Sequence, residues 1–234
     1  FDSFAINMFN CAPVLTVLLL ILACVQLEAA KDNDPVTCGS VIKLIHKETG
    51  NNLHSHGIAW GSGSGQQSVT TNSVKNDKGS LWLVKEGFRA APCEVGKPVQ
   101  CGETIRLEHL DTRKNLHSHL FRAPLSGNQE VSAFGDENGN GDTGDNWQVH
   151  CDSSADAVWN RKKPVVFRHA DTGKFLTSSA SAMFNQQNCG GQCPIMSQTE
   201  VSAGAKKDSK AKWASGQGVY YPPHSNGEDG DDEL

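Results

Sequence analysis

Val41-Ile42-Lys43-Leu44-Ile45-His46-Lys47-Glu48-Thr49-Gly50-Asn51-Asn52-Leu53-His54-Ser55-His56 returns further along the chain as Thr104-Ile105-Arg106-Leu107-Glu108-His109-Leu110-Asp111-Thr112-Arg113-Lys114-Asn115-Leu116-His117-Ser118-His119. A more divergent third copy reads Val165-Val166-Phe167-Arg168-His169-Ala170-Asp171-Thr172-Gly173-Lys174-Phe175-Leu176-Thr177-Ser178-Ser179. Each copy is followed by a short strand-like run, at residues 67–70, 129–132 and 199–202, and then by a tryptophan: Trp82, Trp147 and Trp213. Repeats offset by roughly 60 residues, with period-2 alternation and no long helical period, make the chain all-β. A propeller needs at least about four blades, whereas three such units close a small threefold barrel, so the sequence predicts a β-trefoil. In the first copy Ile42, Leu44 and His46 share one strand face, opposite Lys43, Ile45 and Lys47. Leu53, Leu116 and Leu176 are expected to enter a shared core, with the repeated tryptophans plugging it.

The remaining composition sets compartment and partners. A net charge of -5, with Lys and Arg scattered rather than striped, gives no phosphate-neutralising footprint, so nucleic acid is not expected as a partner. From Val14 to Val25 the chain is almost uninterrupted apolar, which suits a signal-peptide core and is too short to span a bilayer. Cleavage is expected near Ala29 or Ala30, with residues 1–7 lying upstream of the first methionine, Met8, and no membrane insertion of the mature chain. Residues 216–234 read as a disordered acidic tail whose last four, Asp231-Asp232-Glu233-Leu234, differ from the retrieval signal His-Asp-Glu-Leu only in the first position. The expected localisation is the endoplasmic reticulum lumen, or secretion if that ending is poorly retrieved.

Six cysteines remain outside the signal segment. Cys38 precedes the first strand of copy one and Cys93 follows its end, and Cys101 and Cys151 stand in the same relation to copy two, so Cys38–Cys93 and Cys101–Cys151 are the predicted disulfides. Cys189 and Cys193 lie together in an insertion, as a tight staple or a free pair, without the spacing of a disulfide oxidoreductase.

His54-Ser55-His56 and His117-Ser118-His119 each put two imidazoles on one strand face, a possible zinc pair, but copy three offers Thr177-Ser178-Ser179 and repeats hold equivalent positions apart; no metal and no cofactor is expected. Residues 136–142 match the first half of a calcium loop, yet its twelfth position is Trp147, the core aromatic of the repeat. Gly61-Ser62-Gly63-Ser64-Gly65 contains the letters of a nucleophile elbow in a hairpin context rather than a strand-to-helix turn. There is no phosphate-binding Gly-Lys-Ser/Thr loop and no His-Pro-Asp triplet. The chain is therefore expected not to be an enzyme.

The run Val36-Thr37-Cys38-Gly39-Ser40-Val41, the residues 61–70, Asn115-Leu116-His117-Ser118-His119 and the residues 124–135 resemble the stromal cell-derived factor 2 family, small lumenal proteins built of three MIR motifs. The resemblance covers roughly residues 36–215, with MIR-type repeats at about 36–95, 99–152 and 160–215, preceded by 1–30 and followed by the tail. It implies a protein that binds a lumenal J-domain co-chaperone and Hsp70 and assists folding and quality control of unfolded secretory clients. The alternative is a carbohydrate-binding module that recognises glycans on glycoproteins, favoured if Trp60 or Trp159, outside the repeat register, is exposed. Candidate partner contacts are His54, His56, His117, His119, Asn128, Gln129 and Glu130.

Overall fold

A computed structural model describes residues 34–223. The expected signal segment with Ala29 and Ala30, and the retrieval residues Asp231, Asp232, Glu233 and Leu234, lie outside the described residues. Among the described residues no helix is long and apolar enough to cross a membrane.

The chain folds as a β-trefoil. Six strands, β1 (Val41–His46), β4 (Trp82–Glu86), β5 (Thr104–His109), β8 (Trp147–Cys151), β9 (Val165–His169) and β12 (Trp213–Val219), pair in that order. β12 then pairs back to β1, closing an antiparallel ring. The other six form three hairpins: β2 (Asn52–Ala59) with β3 (Gln67–Asn72), β6 (Asn115–Arg122) with β7 (Gln129–Phe134), and β10 (Phe175–Met183) with β11 (Thr199–Gly204). Their inner strands β3, β7 and β11 pair with one another and cap the barrel. Closure gives each of the six barrel strands a neighbour on both sides.

The alternation decides what the barrel holds. Ile42, Leu44 and His46 are fully buried, as are Leu53, Leu116 and Leu176. Trp82, Trp147 and Trp213 are also fully buried, and their indole N–H groups donate to the carbonyls of Leu53, Leu116 and Leu176 at 3.1, 2.9 and 2.9 Å. Each tryptophan thus fills the core and satisfies its one polar atom on the hairpin of its own repeat.

A second threefold device joins the repeats. His46, His109 and His169 pack their rings 4.9–5.1 Å from Trp213, Trp82 and Trp147. Their Nε2 atoms lie 2.9–3.0 Å from the carbonyls of Lys210, Gly79 and Gly144, each in the preceding repeat around the ring. A carbonyl only accepts, so Nε2 carries the proton and Nδ1 accepts from Thr49, Thr112 or Thr172. Burial lowers the pKa of all three histidines and keeps them in this neutral form.

Three further segments tie head to tail. Val36 N–H donates to the Trp159 carbonyl at 2.8 Å, Trp159 to Val99 at 2.8 Å, and Val99 to Val36 at 2.9 Å. Trp159 therefore sits in the repeat register after all, at the place of Val36 and Val99. Trp60 shares its place with Ala123 and Phe184, whose N–H groups bond the same turn of the other hairpins. Sequence alignment missed both because the side chains differ while the backbone role repeats. Both tryptophans are buried, Trp60 at 6% and Trp159 at 0% exposure.

β12 runs to Val219, pairing Gly218 with Ile42 and Val219 with Val41, so the boundary expected at 215 lies too early. Tyr221 still accepts from Thr37, and Tyr220 stacks on Arg161. Cys38–Cys93 and Cys101–Cys151 are bonded, and so is Cys189–Cys193, which follows the short helix α1 (Gln186–Cys189). The last pair packs with Trp60, Phe184 and Ile195 in a small apolar cluster under the insertion. Because it spans 4 residues against 55 and 50, chain entropy gives it roughly 2 kcal/mol where the others give roughly 4. Replacing Cys189 and Cys193 together with serine should cost about 2 kcal/mol in urea unfolding. A loss as large as that of either long-range bridge would show that the insertion organises more of the fold than its own cluster.

Candidate functional site

The outer strand of every hairpin is bulged at the same place. Ser55, Ser118 and Ser178 pair with Val69, Val131 and Val201, but pairing resumes only at Ala59–Gln67, Arg122–Gln129 and Met183–Thr199. Three or four residues thus oppose one, and a bulge of this kind lifts side chains out of the sheet's alternation. The lifted segments are His56-Gly57-Ile58, His119-Leu120-Phe121 and Ser179-Ala180-Ser181-Ala182, facing Ser68, Glu130 and Glu200.

A concavity of about 740 Å³ opens beside the second bulge, between repeats two and three. Its floor is Ser118, Gly144 and His169, with His119 and Leu120 on one side and Asp171, Thr172 and Lys174 on the other. Gln129 spans the repeats, donating from Nε2 to Ser118 Oγ at 2.8 Å and Thr172 Oγ1 at 3.0 Å. Gln67 does the same between Ser55 and Thr112.

The expected contact residues divide. His54, His117 and Glu130 are buried and correct the expectation that they are exposed contacts. His54 Nδ1 lies 2.6 Å from Asp77, whose other oxygen caps the following 3₁₀ turn at Gly79. His117 Nδ1 lies 2.9 Å from Asp145, which is fully buried and also accepts from the Asp142 N–H at 2.9 Å. Both histidines press on a glycine: a Cβ at Gly79 or Gly144 would collide with the ring. In repeat three the smaller Thr177 stands there, and Lys210 replaces the glycine. The first histidine of each His-Ser-His is therefore a brace for the turn that carries the core tryptophan.

Glu130 is buried because the residues 61–65 turn of repeat one arrives above it. Its carboxylate accepts from the Ser64 N–H at 3.3 Å, from the Ser64 hydroxyl, and from His119 Nε2 at 3.1 Å. Glu200 holds the residues 125–126 turn of repeat two in the same way, and burial raises its pKa despite those donors. In the order Ser64, Glu130, His119 the carboxylate stands in the middle, so the imidazole does not meet the serine hydroxyl as it does in a Ser-His-Asp triad. His56 and His119 are half-buried, Gln129 is half-buried, and Asn128 is exposed with its amide on Ser202.

One ligand atom each from His117, Asp142 and Asp145 lies within 4.8 Å of the others. Both carboxylates are already engaged by the N–H groups of a capping box, which accounts for their convergence. The half-matched calcium loop is organised internally: Asp136 accepts from Asn138 and Asn140. Its Gly139 carbonyl points at Lys85 Nζ, 2.9 Å away, and at Asn115. Lys85 in turn meets the buried Glu108 at 2.5 Å.

Sequence reasoning missed the exposed pair in the second bulge. Leu120 is 86% exposed and Phe121 51%, with the Phe121 ring 4.8 Å from that of His119. Comparing the three copies position by position gives the signal: Gly57-Ile58, Leu120-Phe121 and Ala180-Ser181.

A family profile described as the MIR domain matches residues 63–213. The chain is 41% identical over 223 residues to stromal cell-derived factor 2-like protein 1 of Bos taurus, covering 95% of each. The crystal structure of the SDF2-like protein from Arabidopsis thaliana superposes with a TM-score of 0.74 at 40% identity, over 82% of this chain and 99% of that one. A part of the S. cerevisiae protein O-mannosyltransferase Pmt1-Pmt2 complex bound to the sugar donor superposes with a TM-score of 0.66 at 26% identity, over 83% of this chain and 29% of that one.

Proposed function

The chain belongs to the stromal cell-derived factor 2 family of MIR-domain proteins, and from that premise we propose that it is a non-catalytic subunit of a lumenal chaperone complex. In this reading it binds a J-domain co-chaperone and Hsp70 in the endoplasmic reticulum and assists folding and quality control of secretory clients. The observation that carries it is the fate of the polar side chains: those with catalytic potential, His54, His117, Asp145 and Glu130, are spent on turns and caps. What the surface offers is a cleft and an exposed apolar ridge, which suit binding. Relatives matched over most of the chain are named as factors, not enzymes.

The glycan-binding alternative drew its discriminator from Trp60 and Trp159, and both are buried, leaving no tryptophan to stack on a sugar. The test is affinity capture with the tagged mature chain from lumenal extract, with and without competing glycans, read by mass spectrometry. Stoichiometric recovery of a J-domain protein and Hsp70, indifferent to glycans, supports the proposal. Recovery of glycoproteins alone, eluted by sugar, would replace it with a lectin-like activity.

A further inference from the structure

The second bulge carries apolar side chains that the fold does not need. At the place of Leu120 the other repeats have Gly57 and Ala180, and at the place of Phe121 they have Ile58 and Ser181, on hairpins bulged after the same serine, with one residue more in repeat three. Since the same bulge forms around glycine, alanine and serine, stability does not explain a leucine that is 86% exposed beside a phenylalanine that is 51% exposed. Large apolar side chains held open to water on a rigid strand mark a contact surface.

The surroundings say what that contact accepts. Leu120, Gln129 and Lys174 form a wall shared by two concavities, so the surface is continuous across the strand tip. On one side is the 740 Å³ cleft, with the exposed carboxylates of Asp142 and Asp171 at its edge. Burial lowers the pKa of His169, so that histidine adds little positive charge to the cleft. On the other side is a smaller trough of about 270 Å³, lined by Gly127, Ala203 and Ala205 with Phe121 and Arg122. Two carboxylates, Asp142 and Asp171, thus stand against one lysine in the cleft, whereas Lys174 and Arg122 are the charges beside the trough.

We propose that this surface docks an extended polypeptide segment that carries a Lys or Arg close to large apolar residues. The basic side chain enters the cleft toward Asp142 and Asp171, and the apolar side chains lie on Leu120 and Phe121 and over Ala203 and Ala205. An extended segment fits because the two concavities lie on opposite sides of one strand tip, and an extended chain sends successive side chains to opposite sides. The inference rests on the reading of the protein as a binding subunit, and supplies the chemistry of its client.

The test uses the whole mature chain and a fluorescein-labelled peptide of alternating Lys, Phe, Leu and Ser, with anisotropy as readout. The variant Leu120→Ala with Phe121→Ser puts repeat three's residues into repeat two, where the fold already accommodates them. It should keep the wild-type unfolding curve and weaken peptide binding at least tenfold. Asp171→Asn should weaken the basic peptide several-fold and leave a peptide with Gln for Lys unaffected. Capture of the J-domain protein by the double variant should equal wild type.

No peptide binding by wild type, equal binding by the double variant, or equal binding of a Glu-for-Lys peptide would overturn the assignment. So would binding to anionic phosphatidylserine vesicles in place of the peptide, or loss of the J-domain protein by the double variant, which would make the ridge that partner's contact. Failure of wild type to capture the J-domain protein while the peptide still binds would sink the complex-subunit reading and leave this surface standing.

Discussion

Replacing Trp147 with alanine should lower the unfolding free energy by about 5 kcal/mol, measured by urea denaturation. The side chain is fully buried in the barrel, and removing it leaves a cavity bounded by strands that pair with neighbours on both sides and cannot close in. Truncating a buried tryptophan costs about 3–5 kcal/mol. The Leu116 carbonyl also loses its donor, and the His169 ring loses the surface it packs on. Trp147→Phe separates the two effects: it keeps much of the volume and removes the donor, so it should cost about 2 kcal/mol. A loss under 2 kcal/mol for the alanine variant would mean that repeat two relaxes around the hole and that the barrel is softer than its packing indicates.

The stability should also depend steeply on pH in the range where histidine titrates. His46, His109 and His169 each have a pKa lowered by burial, so the folded protein resists protons that the unfolded chain takes up. Unfolding then binds protons, and stability rises with pH. It is fully present above the unfolded value near 6.5 and is lost as the pH falls below it toward the folded values. Each proton contributes about 1.4 kcal/mol per pH unit, so the three together give a slope of up to roughly 4 kcal/mol per unit. His56 and His150, also lowered by burial, act in the same direction. Asp145 and Glu200, raised by burial, act in the other, because protonating them favours the fold and offsets part of the acid loss.

His109→Gln is the sharp test, since an amide N–H can still reach the Gly79 carbonyl but takes up no proton. It should be less stable than wild type at pH 7.5 and show a slope shallower by about 1.4 kcal/mol per unit below pH 6.5. An unchanged slope would place the pH dependence elsewhere.

The architecture was legible in the sequence because it is written three times. The alternation of Ile42, Leu44 and His46, the shared leucines and the landmark tryptophans all took the places their period implied. The expected Cys38–Cys93 and Cys101–Cys151 bridges form, and the open question at Cys189 and Cys193 resolves as a bond. The site was harder to read because the bulge breaks the period-2 rule on which strand reading depends. Up to Ser118 each residue of β6 pairs with one residue of β7. From His119 to Phe121 three residues oppose one, and no counting from the core side of the strand gives their exposure. Glu130 and His117 were misplaced for a different reason: their partners lie elsewhere in sequence. Ser64 is 66 residues from Glu130, and Asp145 is 28 residues from His117.

The head-to-tail bonds among Val36, Val99 and Trp159 bear on how the protein is made. Ribosomes deliver a chain from its N-terminus at about 5–20 residues per second, so Val36 precedes its acceptor on Trp159 by roughly 6–25 seconds. β1 waits longer still, for β12. During that interval a nascent chain holds Ile42, Leu44 and a half-built ring of strands with no partner to cover them. The threefold closure that gives every barrel strand two neighbours in the finished molecule leaves the unfinished one with apolar strands uncovered until its last strand arrives.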